Sequence, residues 1–156
     1  MIRIDSPGWG KRNIEHLVLD FNGTVALDGH MLGCVDEALA KLSIQLRIHL
    51  CTADFHGTAA QETRRYEMAL KILKEPNRAQ EKAEFVRRLG PMSVAAIGNG
   101  NADALMIKEA ALGIAVIGQE GVSGPAIASA DVVCVDIASA LNLFLRPQRL
   151  AATLQR

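Results

Sequence analysis

Short apolar runs alternate with stretches of helical period along most of the chain, and this order constrains the fold more than any other feature. His16-Leu17-Val18-Leu19, residues 46–51, Val94-Ala95-Ala96-Ile97, residues 112–117 and residues 132–135 read as strands, with a weaker one over 67–73. Between them, residues 35–44, 57–65, Arg78–Leu89, 102–111 and 123–129 read as helices. In the first of these Val35, Ala38, Leu39 and Leu42 recur at helical spacing. Gly90-Pro91 stops the Arg78 helix, and Pro147 kinks or splits a terminal helix that starts near Ile137. The strands are short and continuously apolar, the pattern of strands covered by helices on both faces. Units of this kind in alternation predict an α/β fold built on a parallel, doubly wound sheet, Rossmann-like and in three layers. Asp28-Gly29, central in residues 24–33, predicts a small hairpin flap after the first strand. The expected organisation is one domain over 1–156, with an N-terminal extension over 1–13 and one or more C-terminal helices over 137–156.

Composition removes several classes of function. With 156 residues, 49% of them hydrophobic, the chain is too apolar for disorder and long enough for a sizeable core. Seventeen basic residues balance seventeen acidic ones, so no electrostatic footprint for nucleic acid or an anionic membrane is expected. The longest stretch without a charged residue or histidine, 89–102, contains Gly, Pro and Asn and is too short to span a bilayer. The N-terminus does not read as a secretory signal. Cys34, Cys51 and Cys134 form no CxxC pair and read as reduced, buried thiols of a cytoplasmic protein.

In an open α/β sheet ligands bind beyond the carboxyl ends of the strands. The polar residues there are Asp20, Asn22 and Thr24 after the first strand, Thr52 and Asp54 after the second, and Asn99, Asn101 and Asp103 after the Val94 strand. Lys82 stands near the start of the preceding helix. An acid, a hydroxyl, a lysine and a second acid at one edge supply what phosphoryl transfer needs: an anionic nucleophile, a cation for phosphate oxygens, and oxygen ligands for magnesium.

Asp20-Phe21-Asn22-Gly23-Thr24, Thr52, Lys82 and Gly98-Asn99-Gly100-Asn101-Ala102-Asp103 resemble the four motifs of the haloacid dehalogenase (HAD) superfamily of phosphotransferases. Leu50-Cys51-Thr52-Ala53-Asp54 and the Glu81–Val86 segment resemble the phosphorylation domain of P-type ATPases and its small soluble relatives. The resemblance spans about residues 17–135. It implies a magnesium-dependent phosphohydrolase that forms an aspartyl-phosphate on Asp20. It further implies catalytic roles for Asp20, Asn22, Thr52 and Lys82, and phosphate contacts from Asp20, Phe21, Asn22, Gly23, Thr52, Ala53 and Lys82. Mg²⁺ would be held by Asp20, Asn22 through its backbone carbonyl, Asn99, and Asp103 through water. The substrate would be a phosphorylated small molecule or a phosphoprotein.

Two positions depart from the family. The phosphatases carry an acid/base Asp two residues after the nucleophile, where this chain has Asn22, and the first acid of the magnesium loop is replaced by Asn99. The first change predicts slow turnover; together they leave a phospho-ligand-binding or regulatory protein of weakened activity, or a receiver-like switch, as alternatives. There is no room for a cap between these motifs. Capless relatives either act on large substrates or close the site with a neighbouring subunit, so a homo-oligomer is one of two options. Taken singly the residues have plainer readings: Asp20 as a turn cap, Thr52 and Asp54 as helix caps, Lys82 as a solvated helix lysine, Gly98 and Gly100 as turn glycines, Asp103 as a cap. Met31, Met68, Met92 and Met106 read as core or half-buried. Asn22-Gly23 and Asn99-Gly100 are dipeptides prone to deamidation.

Overall fold

The computed structural model describes residues 1–74 and 76–156. The chain opens with strands β1 (Ile2–Ser6) and β2 (Gly10–Ile14), then β3 (His16–Leu19) and the short pair β4 (Ala26–Leu27) and β5 (His30–Met31). Helix α1 (Asp36–Ser43), strand β6 (Arg47–Thr52), helix α2 (Ala59–Glu62) and strand β7 (Ala69–Ile72) follow. The second half runs α3 (Arg78–Leu89), β8 (Val94–Gly98), α4 (Ala104–Glu109), β9 (Leu112–Val116), α5 (Gly124–Ser129), β10 (Val132–Cys134), α6 (Ile137–Leu145) and α7 (Pro147–Leu154).

Six strands form one parallel sheet in the order β10-β9-β8-β3-β6-β7. From β3 the chain winds outward through β6 to β7, and then returns to the other side of β3 for β8. Loops leaving β3 and β8 therefore diverge, and the cleft between them is the topological switch point where α/β sheets take ligands. Every residue of β3, β8 and β9 is buried, as their unbroken apolar runs predict. One face of the sheet packs Leu17, Leu19, Ile48, Leu50 and Ile97 against α1, α6 and α7. The other packs Val18, Cys51, Ala96 and Ala115 against Val86 of α3, Met106 and Ile107 of α4 and Ala126 of α5. These are the three predicted layers.

Several expectations need correction. The segment 1–13 is not a mere extension: β1 and β2 pair antiparallel and bury Ile2, Ile4 and Ile14 in the core. The helix expected over 57–65 is a single turn, and that over 102–111 begins with a 3₁₀ turn over Asn101–Asp103. Cys34 is exposed, because the 3₁₀ turn that carries it buries only Val35; Cys51 and Cys134 are buried as expected. Met92 is exposed on the turn between α3 and β8. Among the described residues no helix is long and apolar enough to cross a membrane.

Candidate active site

Asp20 follows directly on β3, and its amide donates to Ile97 O of β8 at 3.0 Å. The next residues turn back at once because the Phe21 carbonyl accepts from the amides of Thr24, Val25 and Ala26. The Phe21 ring, wholly buried, anchors that turn in the core. Gly23 sits at φ +80°, and a Cβ there would come within 2.4 Å of Asn99 Nδ2, so any side chain at this position is strained and displaces Asn99. The Thr24 hydroxyl lies 3.2 Å from Asp20 Oδ2 and 3.3 Å from Asn99 Oδ1, tying the loops after β3 and β8 together.

Lys82 lies on the buried face of α3 beside Ala83 and Val86, not on its solvated face. Its Nζ stands 2.5 Å from Asp20 Oδ1 and 2.6 Å from Asp103 Oδ1. All three groups are nearly inaccessible, with Lys82 3% exposed, Asp103 2% and Asp20 9%. One ammonium thus serves two buried carboxylates and leaves one net negative charge. Burial and the Asp103 charge push the Asp20 carboxyl up to about 6, with Lys82 opposing them. Burial would lower the Lys82 pKa, but Asp103 and Asp20 raise it above its ordinary value and hold the ammonium charged. Asp103 Oδ2 meanwhile accepts the amides of Asn99 and Gly100 at 3.0 and 2.8 Å. Both oxygens of Asp103 are thus engaged in orienting Lys82 and the Gly98–Asp103 loop, the arrangement of a positioning residue.

Thr52 ends β6, and its Oγ accepts the Asp54 amide at 2.9 Å. Asp54 adopts φ +50° and accepts the Ala59 amide, the structural role that its plainer reading expects. A pocket of about 150 Å³ opens between these loops, with Asp20, Asn22, Thr52, Ala53 and Lys82 on its wall. Four sequence-distant segments therefore converge on the Asp20 carboxyl group. A larger cavity, about 450 Å³, lies between α1 and Arg65–Met68 and holds none of these groups. The wall also contains Phe55 and Arg78, which sequence reasoning missed. For Arg78 the signal was its spacing, one helical turn before Lys82 and on the same side of α3.

Asn22 lines the pocket, and its amide oxygen is engaged by the flap. Its Oδ1 accepts the Gly29 amide at the tip of the β4–β5 flap, 2.8 Å away. Thr58 donates to Gly29 O at 2.5 Å and Glu62 accepts the Met31 amide at 2.8 Å, so the flap is fastened at three points. The two Asn-Gly pairs are also held against deamidation. Ring closure needs the following nitrogen free to attack, yet Gly23 N donates to Ala26 O and Gly100 N to Asp103 Oδ2.

Among the described residues no three His, Cys, Asp or Glu side chains gather as a metal cluster. Metal-ligating oxygens nevertheless flank the site: the Asp20 carboxylate and, bridged to it by the Thr24 hydroxyl, the Asn99 amide oxygen. That set, with the net negative charge of Asp20, Asp103 and Lys82 taken together, fits a hard divalent cation that keeps several waters.

No family model matches the chain. The uncharacterized protein MJ0073 of Methanocaldococcus jannaschii is 44% identical over 84 residues, which cover 54% of this chain and 81% of that protein. Among solved structures, 3-deoxy-D-manno-octulosonate 8-phosphate phosphatase from Moraxella catarrhalis, in complex with magnesium, phosphate and KDO, superposes with a TM-score of 0.70 at 15% identity, covering 91% of this chain and 94% of that one. The cobalt-bound deoxy-D-mannose-octulosonate 8-phosphate phosphatase from Haemophilus influenzae gives 0.71 at 10% identity, with 92% and 94% covered. A zinc-transporting PIB-type ATPase gives 0.64 at 21% identity over 78% of this chain and 20% of the ATPase. At these identities the likeness is one of fold.

Proposed function

Because the chain belongs to the family of the archaeal protein MJ0073 and has the capless HAD fold, we propose that it is a magnesium-dependent phosphohydrolase working slowly through a phosphoryl group carried on Asp20. The observation that carries this reading is the convergence of Asp20, Lys82 and Thr52 on one small anion-sized pocket, with Asp103 paired to the same Lys82 nitrogen.

A phosphate dianion entering beside Asp20 adds to the net negative charge that Asp20, Asp103 and Lys82 carry together. Asp20, the Asn22 main-chain carbonyl and Asn99 would hold Mg²⁺, with Asp103 reaching it only through water; when bound, the ion offsets the phosphate charge and polarises the phosphoryl oxygens. Lys82 keeps Asp20 ionised and faces the same charge. Thr52, whose oxygen accepts the Asp54 amide, would give its hydroxyl proton to a phosphoryl oxygen. The Asp20 carboxylate attacks phosphorus, the bond to the leaving oxygen breaks, and that oxygen departs with the electron pair.

Asn22 has no proton to give it and accepts none from the water that later attacks the acyl phosphate. Loss of such help costs ~10²–10⁴-fold in rate. The substrates least affected are those whose leaving group is stable as an anion: acyl and aryl phosphates or nucleoside triphosphates. With magnesium present, acetyl phosphate and phenyl phosphate should therefore turn over at least ~100-fold faster than glucose 6-phosphate. Equal rates on the sugar phosphate would contradict the reading.

A further inference from the structure

We propose that Phe55 and Arg78 form the leaving-group side of this pocket and select a planar leaving group that bears a second anionic group. The inference rests on the phosphotransfer reading above and names its substrate class.

Phe55 is 81% exposed, whereas the other Phe, Tyr and Trp rings among the described residues are buried or half-buried. It stands on the pocket wall with Asp20 and Lys82. The backbone beneath it is fixed: Asp54 is held at φ +50° by the Ala59 amide, and the Thr52 oxygen holds the Asp54 amide. His56 packs edge-on against the ring, with centroids 5.6 Å apart and planes at 83°. A ring facing solvent beside an anion pocket, on a backbone fixed at Asp54, is a stacking platform for a flat group.

Arg78 opens α3 one turn before Lys82 and lines the same pocket. Arg78 brings a second positive charge, as a planar fork suited to a carboxylate or phosphate. At about 150 Å³ the pocket takes a phosphoryl group and little else, so the leaving group extends out of it, past the exposed Phe55 and the half-buried Arg78 of its lining.

The chemistry at Asn22 leads independently to the same class. A leaving oxygen that receives no proton must be stabilised by resonance, and aryl oxides, enolates and carboxylates are flat. Phe55 supplies the surface such a group needs, and Arg78 the counter-charge for an acidic substituent.

The test compares kcat/KM for acetyl phosphate, phenyl phosphate and 3-carboxyphenyl phosphate in the wild type, Phe55→Ala, Arg78→Gln and Arg78→Lys, all with magnesium. Phe55→Ala should lower the ratio of either aryl ester to acetyl phosphate about tenfold. Arg78→Gln should lower the ratio of the carboxyphenyl to the phenyl ester about tenfold, with Arg78→Lys restoring part of it. Equal losses on all three substrates, or unchanged ratios, would overturn the inference while leaving the phosphotransfer reading intact. Failure of all three to phosphorylate wild-type Asp20 would remove that reading, and this inference with it.

Discussion

Lys82 Nζ lies 2.5 Å from Asp20 Oδ1 across 62 positions of sequence, and the same nitrogen holds Asp103 on its other side. Deleting one member of a buried ionic group costs ~3–5 kcal/mol, because its partners stay buried and uncompensated. Lys82→Met should therefore lower unfolding free energy by about that amount and abolish phosphorylation. Denaturant titration measures the first effect; a loss below ~1 kcal/mol, the scale of an exposed pair, would contradict the burial described.

The surplus charge at Asp20 has a pH signature in metal-free protein. Its carboxyl is raised from 3.8 to about 6 by burial and by Asp103, so between these values the folded protein holds a proton that the unfolded chain has released. Stability from this group is complete below pH 4 and is lost as pH rises through 6. His49, lowered to about 4 by burial, His16 and Arg47, acts in the opposite sense, losing stability as pH falls. The measurable quantity is the stability of the wild type minus that of Asp20→Asn, which should decline from pH 4 to 6. A flat or rising difference would contradict the assignment.

By the motif resemblance Asn22 stands at the acid/base position of the HAD phosphatases, and its oxygen fastens the flap through the Gly29 amide. Asn22→Asp keeps an acceptor oxygen in the same place and adds a titratable group. Hydrolysis should rise ~100-fold or more, within the ~10²–10⁴-fold that general acid–base help supplies, and activity should extend to alkyl phosphates. Asn22→Ala should instead free the flap tip and lower phosphorylation. Steady-state rates on acetyl phosphate and glucose 6-phosphate separate these outcomes from a site that no longer assembles, in which Asn22→Asp changes nothing.

The scaffold was legible because its signals are local. The apolar runs of β3, β8 and β9 report burial on both faces, and the bounds of α3 follow from periodicity and Gly90-Pro91. Ile2 and Ile4 alternate with Arg3 and Asp5 before the Pro7-Gly8 turn, a hairpin signal that the sequence does carry. What local pattern could not supply is the partner of a polar atom. Asn22 pairs with Gly29 only once the flap folds back, and Asp103 is drawn to Lys82 and two loop amides only when β3, α3 and β8 converge. Phe55 and Arg78 carried no recognised motif; the meeting of the α2 loop with the start of α3 makes them neighbours of the site.

Gly23 offers a test of how tightly the first loop meets the last. Alanine there would be forced to φ +80° and its Cβ would lie 2.4 Å from Asn99 Nδ2, an amide that Gly121 O and Thr24 hold in place. The backbone strain alone is worth ~1–2 kcal/mol. Gly23→Ala should lower the melting temperature and abolish phosphorylation; an unchanged melting curve would contradict the close approach.

The central claim is that Asp20 carries the phosphoryl group, and trapping that group tests it most directly. Protein incubated with magnesium and ³²P-labelled acetyl phosphate, quenched in acid, should retain label that hydroxylamine removes, and peptide mapping should place it on Asp20. Asp20→Asn should retain none. Wild-type protein without label, or equal label on Asp20→Asn, would contradict the account.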